Sequence, residues 1–343
     1  MKDSIQKILI IKLSSLGDVC LALPPIEVIT RYHAKAEIWV LTSSAYVDFF
    51  KHHPRLNVAV LDRSGFWDEG NTFKAIRWIR RMRFDTLFDL QGNRTSRLLV
   101  RFSRTSNRVG NQADSLYTTH PLMPYTRKTR QNIFDRMNEM LVAAGLPQAE
   151  PFARLYLPDE DINSVGLWKK THHLTDGCYV LLHAGSSPEW PSKQWPRDYF
   201  ARIAVMFENA GLKCVWIGAK EDREINRFLA LQAGIDATGA FSLSRLYFLA
   251  KGARFGITND SGPMHVLAVS GLPVYSFFGP TDFVRSHAVG QRERVFSRGL
   301  SCSPCFLKKC PSKYRHACLV GIQPEEVFNR VVSAVDISHC KQT

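Results

Sequence analysis

A carboxylate that could act as a base follows the first apolar run of the chain. Residues 14–19 read Ser-Ser-Leu-Gly-Asp-Val, so Gly17 allows a tight turn and Asp18 falls at the start of the next helix. A carboxylate beyond the carboxyl end of a parallel strand lies where α/β sheets bind ligands, and it can accept a proton there. Asp18 could equally serve as a cap of that helix. Both roles are open at this point.

Residues 185–196 form a second segment with polar chemistry. Their sequence, GSSPEWPSKQWP, combines small hydroxyl residues with one lysine, Lys193. Backbone N–H groups, hydroxyls and a mobile ammonium group are suited to binding phosphate. The prolines in the same segment also fit a stiffened surface loop that binds nothing.

Residues 258–265, Thr-Asn-Asp-Ser-Gly-Pro-Met-His, have the pattern of a helix start. Pro263 suits the first helical turn, and Ser261 or Gly262 suits the cap. The free N–H groups of such a start can bind an anion. Asp260 would repel a phosphate placed there, so we expect it to bind sugar hydroxyls or to hold the loop.

Four of the eight cysteines are clustered near the C-terminus as Cys302-x2-Cys305-x4-Cys310-x7-Cys318. This spacing suits a tetrahedral site for a structural zinc or iron ion, with His316 as a substitute ligand. A reduced structural loop is the alternative. Cys20, Cys178 and Cys214 lie in or beside apolar runs, and we expect them to be reduced core residues.

The chain is strongly basic, with 45 Lys and Arg against 31 Asp and Glu and a net charge of +14. Such an excess favours anionic partners: nucleic acid, a phospholipid surface or phosphorylated substrates. Nine arginines lie between Arg77 and Arg108, opposed only by Asp85 and Asp89, and Arg127, Lys128 and Arg130 follow. Each fits a solvated helix face, but as a group they predict a surface that attracts an acidic ligand. No nucleic-acid-binding module is recognisable, which argues against nucleic acid.

Short apolar runs alternate with amphipathic stretches, which predicts an α/β protein with parallel sheets. The predicted strands are residues 7–13, 37–42, 57–62, 86–90, 178–185, 213–219, 254–260 and 273–279. The predicted helices include residues 19–33, 72–82, 197–210, 221–233, 243–252 and 263–270.

The length of 343 residues suits two domains, and the polar stretch 158–177 is the best candidate for a linker between them. We therefore expect one Rossmann-like domain over 1–165, a second over 175–325, and a C-terminal helix and tail over 326–343. No apolar stretch is long enough to span a membrane, and the N-terminus lacks the apolar core of a secretory signal. We therefore expect a cytoplasmic protein.

The segments at the strand ends resemble the lipopolysaccharide heptosyltransferases of glycosyltransferase family 9. The matching pieces are IKLSSLGDV near the start, FDLQGNRTS at 88–96, HAGSSPEWPSKQWP at 183–196 and GITNDSGPMHVLAVSGLPVYSFFGPTD at 256–282. The closing CSPCFLKKC…CLVGIQPEEV also resembles many members. The family implies a GT-B fold, in which two Rossmann-like domains with parallel sheets face each other across a ligand cleft. It implies that the domain over 1–165 binds the acceptor and that the domain over 175–325 binds the nucleotide-sugar. It also implies inverting transfer from ADP-L-glycero-β-D-manno-heptose to the Kdo or heptose of the lipid A core.

The resemblance also implies roles for individual residues. Asp18 matches the catalytic base and Lys193 the phosphate-binding lysine, so that no metal is needed for catalysis. The donor site is predicted to comprise Ser186, Ser187, Lys193, Glu221, Asp222, Asp260, Ser261, Gly262, Met264 and His265, with Glu221 or Asp222 holding the ribose. The acceptor site is predicted to comprise Lys12, Ser15, Gly17, Gln91, Arg94 and Arg127.

Two alternatives concern the substrates and the metal. A GT-B enzyme could use another nucleotide-sugar, or a protein acceptor as autotransporter heptosyltransferases do. The triplet Asp159-Glu160-Asp161 resembles a metal-binding motif of another glycosyltransferase fold, but its place in the predicted linker favours solvated charge. With a lipid-linked acceptor, we expect peripheral contact with the cytoplasmic face of the inner membrane and no nucleic-acid partner.

Overall fold

The chain folds into two compact units, Met1–Leu157 and Pro158–Thr343. The structure is a computed structural model that describes residues 5–62, 69–124, 130–337 and 340. Each unit has its own parallel sheet, and each is described by itself below.

The first unit is built on a five-stranded parallel sheet with the order β3-β2-β1-β4-β5. The strand order reverses between β1 and β4, which pair with each other in the interior of the sheet. In an open α/β sheet this reversal opens a crevice outside the carboxyl ends of the two strands. The elements of this unit are β1 (Lys7–Ile11), α1 (Leu16–Tyr32), β2 (Glu37–Thr42), β3 (Leu56–Val60), α2 (Glu69–Met82), β4 (Thr86–Asp89), α3 (Arg94–Phe102), β5 (Asn107–Gly110) and α4 (Ile133–Ala143).

The second unit repeats this plan with six parallel strands in the order β11-β10-β9-β6-β7-β8. Here the reversal lies between β6 and β9, which pair from Leu181 to His183. The elements are α5 (Asp159–Thr171), β6 (Tyr179–His183), α6 (Arg197–Asn209), β7 (Lys213–Trp216), α7 (Arg223–Ala230), β8 (Ile235–Asp236), α8 (Leu243–Gly252), β9 (Gly256–Asn259), α9 (Gly262–Val269), β10 (Val274–Phe277), α10 (Phe283–Ser286), β11 (Val295–Phe296), α11 (Ala317–Val320) and α12 (Pro324–Ala334).

The central strands form these sheets because they are apolar on both faces. All five residues of β6 are buried, as are four of the five in β1, and helices cover both sides. In the second unit, Trp195 stacks on Phe277 with ring centroids 4.2 Å apart, which anchors the loop after β6 to the core. The predicted α/β class with parallel sheets is confirmed.

The predicted linker over 158–177 is wrong, because most of it is the helix α5 of the second unit. Its acidic triplet occupies the first turn, where carboxylates are favoured by the helix dipole. Asp161 forms an ion pair with Arg245 of α8. Only Val165 of α5 is buried, so the helix lacks the apolar stripe from which an amphipathic helix is predicted in a sequence.

The expectation that Cys178 is a free core thiol is also wrong. Cys178 and Cys340 form a disulfide, with their Cα atoms 5.3 Å apart and both residues buried. Cys20 and Cys214 are free and buried, as expected for core residues. Over the described residues, none of the helices combines the length and apolar character that crossing a membrane requires.

Candidate active site

In the first unit, Gln91 ties the ends of the two central strands together. Its side-chain oxygen Oε1 accepts hydrogen bonds from the backbone N–H groups of Leu13, at 2.9 Å, and Ser14, at 3.0 Å. These groups follow β1, whereas Gln91 follows β4. One amide oxygen therefore sets the path of the chain between β1 and Asp18.

Asp18 lies in the first turn of α1, half-buried, beyond the carboxyl end of β1. Its Oδ2 accepts hydrogen bonds from the backbone N–H and the hydroxyl of Ser15, each at 3.3 Å. Asp18 is the third residue of α1, and its contacts with the N-cap residue Ser15 are those of the acidic partner in a capping box. The capping role predicted for Asp18 is thus present, and the same contacts fix the carboxylate at the crevice of the sheet.

Lys12 is buried beneath this loop, with 2% of its surface exposed. Its Nζ donates a hydrogen bond to the backbone oxygen of Leu90 at 3.3 Å. Burial lowers the pKa of Lys12, while the nearby charges of Asp18 and Asp89 raise it in part. The role of Lys12 in the acceptor site stays a prediction; in this structure its ammonium group is buried near the carboxylates of Asp18 and Asp89.

Asp89 ends β4 and is fully buried, a position that the sequence analysis did not assign to the site. Its carboxylate accepts hydrogen bonds from Gln91 N at 3.0 Å, Gly92 N at 2.9 Å, Ser96 Oγ at 2.9 Å and Tyr117 Oη at 2.7 Å. Burial raises the pKa of Asp89, although these hydrogen bonds oppose the rise. Asp89 thus orders the loop that carries Gln91. The sequence signal for such a residue is a carboxylate within the apolar run TLFDL at 86–90.

The remaining predicted acceptor residues lie around this loop. Ser15 is exposed, Gly17 is half-buried, and Arg94 is exposed at the start of α3. Arg127 lies outside the described residues. The first unit therefore brings Ser15, Gly17, Asp18 and Gln91 into one loop system above the buried Lys12.

In the second unit, Asn259 plays the part that Gln91 plays in the first. Its Nδ2 donates to the backbone oxygens of Ala184 at 2.8 Å and Gly185 at 3.0 Å. Its Oδ1 accepts from the backbone N–H of Trp195 at 2.9 Å. A fully buried amide thus joins the end of β9 to the whole loop after β6. Sequence analysis missed this residue, although it precedes Asp260 at a strand end.

His183 lies between Ser261 and Asp222 at the carboxyl ends of three strands. Ser261 Oγ lies 3.0 Å from His183 Nδ1, and His183 Nε2 lies 3.4 Å from Asp222 Oδ2. Burial raises the pKa of Asp222, but the hydrogen bond and charge of His183 outweigh it and leave the pKa below its ordinary value. His183 was not predicted, although it is the last residue of β6.

Asp222 and Glu221, the two alternatives that the sequence offered for binding the ribose, have different surroundings in the structure. Asp222 is turned inward, where its Oδ2 also accepts from the backbone N–H of Ala219 at 2.9 Å. Glu221 is exposed in the short 3-10 helix over 220–222. The outward carboxylate of Glu221 is therefore the one available to a sugar, while Asp222 positions His183.

Lys193 forms an ion pair with Asp260, with Nζ 2.8 Å from Oδ2. The same oxygen accepts a hydrogen bond from Thr281 Oγ1 at 2.6 Å. Asp260 is buried and Lys193 is partly exposed, so Asp260 holds the ammonium group of Lys193 at the surface beyond the carboxyl ends of the strands. Of the two roles expected for Asp260, holding the loop is the one that these contacts provide.

The loop over 186–193 is held in place by the cysteine-bearing segment. Ser192 donates from its Oγ to the oxygen of Leu307 at 2.6 Å, and its own carbonyl contacts Nε2 of His316 at 2.6 Å. Ser186 donates to the oxygen of Trp190 at 3.0 Å, and Ser187 is exposed. The expected stiff loop is therefore present beside Lys193.

Helix α9 begins at Gly262, with Ser261 as its N-cap and Pro263 in the first turn, as predicted. Gly262 is half-buried, whereas Met264 is fully buried and His265 nearly so. Met264 was predicted to bind the donor. Its side chain faces the core, so only its backbone N–H is left for that purpose.

The four clustered cysteines are free thiols, each partly buried. Burial raises the pKa of Cys318 to about 11, and the neighbouring Cys310, Cys302 and Cys305 add to the shift. Among the described residues, no three His, Cys, Asp or Glu side chains are arranged to hold a metal ion, so the predicted zinc or iron site is not formed in this structure.

The profile of glycosyltransferase family 9 (heptosyltransferase) matches residues 72–316. The chain belongs to this family. The Campylobacter jejuni lipooligosaccharide heptosyltransferase 2 is 22% identical over 332 residues, which cover 94% of this chain and 97% of that protein. Among solved structures, a family 9 glycosyl transferase from Veillonella parvula matches with a TM-score of 0.79, 23% identity and coverage of 97% and 98%. The E. coli ADP-heptose lps heptosyltransferase II matches with a TM-score of 0.73, 18% identity and coverage of 98% and 100%.

Membership in glycosyltransferase family 9 confirms the predicted family and makes the chain a glycosyltransferase. The structural matches extend over nearly the whole chain and confirm the predicted GT-B fold class. The roles of the individual site residues stay predictions.

Gly185 tests the inward position of Asp222. A Cβ at residue 185 would lie 1.8 Å from Asp222 Oδ1 and 3.2 Å from His183 Nε2. We expect Gly185→Ala to lower the free energy of unfolding by about 1–3 kcal/mol, measured by chemical denaturation, because a buried carboxylate must move. Gly166→Ala in α5 is the matched control, since nothing lies within 4 Å of its added Cβ. Adding Asp222→Ala should restore much of the loss, and no such recovery would contradict the proposed clash.

The burial of Lys12 predicts that the free energy of unfolding depends on pH. Unfolding returns Lys12 to water, where its pKa is higher, so the unfolded chain binds more protons between the two pKa values. The contribution of Lys12 to stability therefore grows as pH rises towards the ordinary lysine pKa. We expect the free energy of unfolding of wild type, relative to Lys12→Met, to rise as the pH approaches the ordinary lysine pKa of about 10.4. Lys35→Met at an exposed position is the control, and an equal trend there would refute the assignment to burial.

Proposed function

We propose that this glycosyltransferase moves L-glycero-D-manno-heptose from ADP-heptose to the Kdo or heptose of a lipopolysaccharide inner core, with inversion at the anomeric carbon. The observation that carries the proposal is Lys193, held by Asp260 at the carboxyl ends of the second sheet beside the start of α9. The similarity to a C. jejuni lipooligosaccharide heptosyltransferase and to an E. coli ADP-heptose lps heptosyltransferase supports the sugar and the acceptor class.

The second unit binds the donor in this proposal. The diphosphate of ADP-heptose binds Lys193, whose ammonium group has three N–H donors and can contact the phosphate while it keeps its ion pair with Asp260. Asp260 then retains its counter-charge, as well as its hydrogen bond from Thr281, and its repulsion of the phosphate is offset. The first N–H groups of α9 and the hydroxyl of Ser261 bind the same anion. Negative charge that develops on the leaving diphosphate is thereby stabilised without a divalent metal ion.

The position of the nucleotide follows from the two acidic neighbours. Glu221 accepts hydrogen bonds from the ribose hydroxyls, because its side chain is exposed at the end of β7. Asp222 holds His183, and His183 in turn holds Ser261. Ser186 and Ser187 contribute donors from the loop that the cysteine-bearing segment supports. His265 acts as a buried positioning residue behind the start of α9.

The first unit binds the acceptor and supplies the base. Asp18 accepts the proton of the attacking sugar hydroxyl while the new C–O bond forms and the bond to ADP breaks. Lys12 favours the ionised carboxylate from below, since a positive charge nearby stabilises it. Ser15, Gly17, Gln91 and Arg94 line the acceptor side, and Arg127 is proposed from the resemblance alone. The acceptor is lipid-linked, so we also propose peripheral contact with the cytoplasmic face of the inner membrane.

The Asp18→Asn variant separates the base from the cap. Asp18 is the third residue of α1, where the amide oxygen of Asn can still accept the N–H of Ser15, so the melting temperature should fall only by the loss of a charge–dipole interaction of about 0.3–1 kcal/mol. An amide cannot accept the proton, so we expect kcat to fall by about 10²–10⁴-fold. Kinetics with purified ADP-heptose and a Kdo–lipid A acceptor measure this loss. Near-normal kcat in the folded variant would exclude Asp18 as the base.

Lys193→Met provides the comparison for the donor side. It removes the charge but keeps a side chain of similar length, so ADP binding measured by calorimetry should weaken, whereas Asp18→Asn should bind ADP like the wild type. Acceptors truncated at successive sugars then define the accepting position. Turnover with a protein acceptor, or with another nucleotide-sugar in preference to ADP-heptose, would contradict the proposed substrates.

A further inference from the structure

A cavity of about 1270 Å³ lies on the outer side of α3 in the first unit. Its wall contains five arginines, Arg94, Arg97, Arg101, Arg104 and Arg108, against a single carboxylate, that of Asp114. Helix α3 connects β4 to β5, and β5 is the edge strand of the sheet. The arginines therefore extend along the edge of the unit, well beyond the loop that carries Asp18.

Two of these arginines build the wall of the cavity. Arg97 is paired with Asp114 at 2.5 Å. Arg108 donates from Nε to the oxygen of Leu116 at 2.7 Å and from Nη1 to the oxygen of Thr105 at 2.8 Å. Their guanidinium groups are thus held by the protein, and the one carboxylate of the cavity is already neutralised.

Arg101 and Arg104 are exposed, and no acidic side chain among the described residues forms an ion pair with either. Arg94, Arg97 and Arg108 line the same cavity, where the one carboxylate, that of Asp114, is already paired with Arg97. The charges of Arg101 and Arg104 add to this excess, and an anionic partner would relieve the repulsion between them. Guanidinium groups bind phosphate in a planar, two-pronged geometry, so phosphate is the anion that best fits this surface.

Two exposed apolar side chains lie among the arginines. Leu98 and Phe102 are 39% and 41% exposed and line the same cavity. The basic end of α2 adjoins them, because Arg80 Nε donates to the backbone oxygen of Phe102 at 2.7 Å. A nucleic-acid backbone offers no apolar phase to these side chains. An anionic bilayer offers phosphates at its surface and acyl chains just below, as interfacial helices require.

We propose that the basic surface of α3, formed by Arg94, Arg97, Leu98, Arg101, Phe102, Arg104 and Arg108, docks on the phosphate headgroups of an anionic phospholipid membrane. The arginines bind the headgroups, and Leu98 and Phe102 insert beneath them. This inference deepens the proposed function by naming the surface that reaches the membrane. The test below contains no sugar donor, so its failure is distinguishable from failure of the heptosyl transfer.

Vesicle flotation of the full chain tests the proposal. We expect binding to vesicles of phosphatidylcholine and phosphatidylglycerol, little binding to phosphatidylcholine alone, and loss of binding as salt rises. The double variant Arg101→Gln/Arg104→Gln should bind roughly 30-fold more weakly, at about fivefold for each arginine. The matched control is Lys170→Gln/Arg227→Gln, which removes the same charge from exposed sites of the second unit and should bind like the wild type.

Phe102→Ser tests the apolar part, because it keeps every charge and should weaken binding most at high salt, where headgroup attraction is screened. Unchanged melting temperatures verify that the variants are folded. Equal weakening in the control pair would reduce the effect to net charge and overturn the proposal. Tighter binding to duplex DNA than to the anionic vesicles at the same salt, lost in the Arg101/Arg104 variant, would assign the surface to nucleic acid and overturn it as well.

Discussion

One constraint shapes both halves of this glycosyltransferase: the two strands that flank the reversal of each sheet must be tied together at their carboxyl ends. Strands separated by such a reversal send their connections to opposite sides, and the backbone groups beyond their ends lose their partners in the sheet. A side-chain amide replaces those partners in each unit. Gln91 accepts from Leu13 and Ser14, and Asn259 joins Ala184, Gly185 and Trp195.

Charge is then placed on this amide framework. In the first unit the buried Lys12 lies below Asp18 and Asp89, so a carboxylate at the crevice has a positive neighbour that water does not screen. In the second unit, Asp222 contacts His183, and His183 in turn contacts the hydroxyl of Ser261. Asp260 forms an ion pair with Lys193. In both units, the side chains of the proposed site are thus held by charged groups buried or partly buried behind them.

The cysteine-bearing segment acquires a structural role from the same framework. It supports the loop before Lys193 through Ser192, Leu307 and His316. Cys318 also lies close to the turn at Gly279, where an added Cβ would lie 2.7 Å from its Sγ. That turn precedes Thr281, the partner of Asp260. Cys318 therefore lies beside the turn that leads to Thr281, while Leu307 and His316 support the loop before Lys193.

By itself, the sequence determined the two parallel sheets, the start of α9 and the segments that carry Asp18, Lys193 and Asp260. Those features depend on local patterns: apolar strands of known length, glycine turns and helix caps, all read within a few residues. It missed β5 and the helix α5, because NRVG is short and polar and α5 buries only Val165. Tertiary structure alone decided that Lys12 and Met264 are buried, that Asp222 faces inward while Glu221 faces out, and that Cys178 meets Cys340. Each of these outcomes depends on residues far apart in the chain, whose contacts form only when the strand order brings their loops to one edge of a sheet.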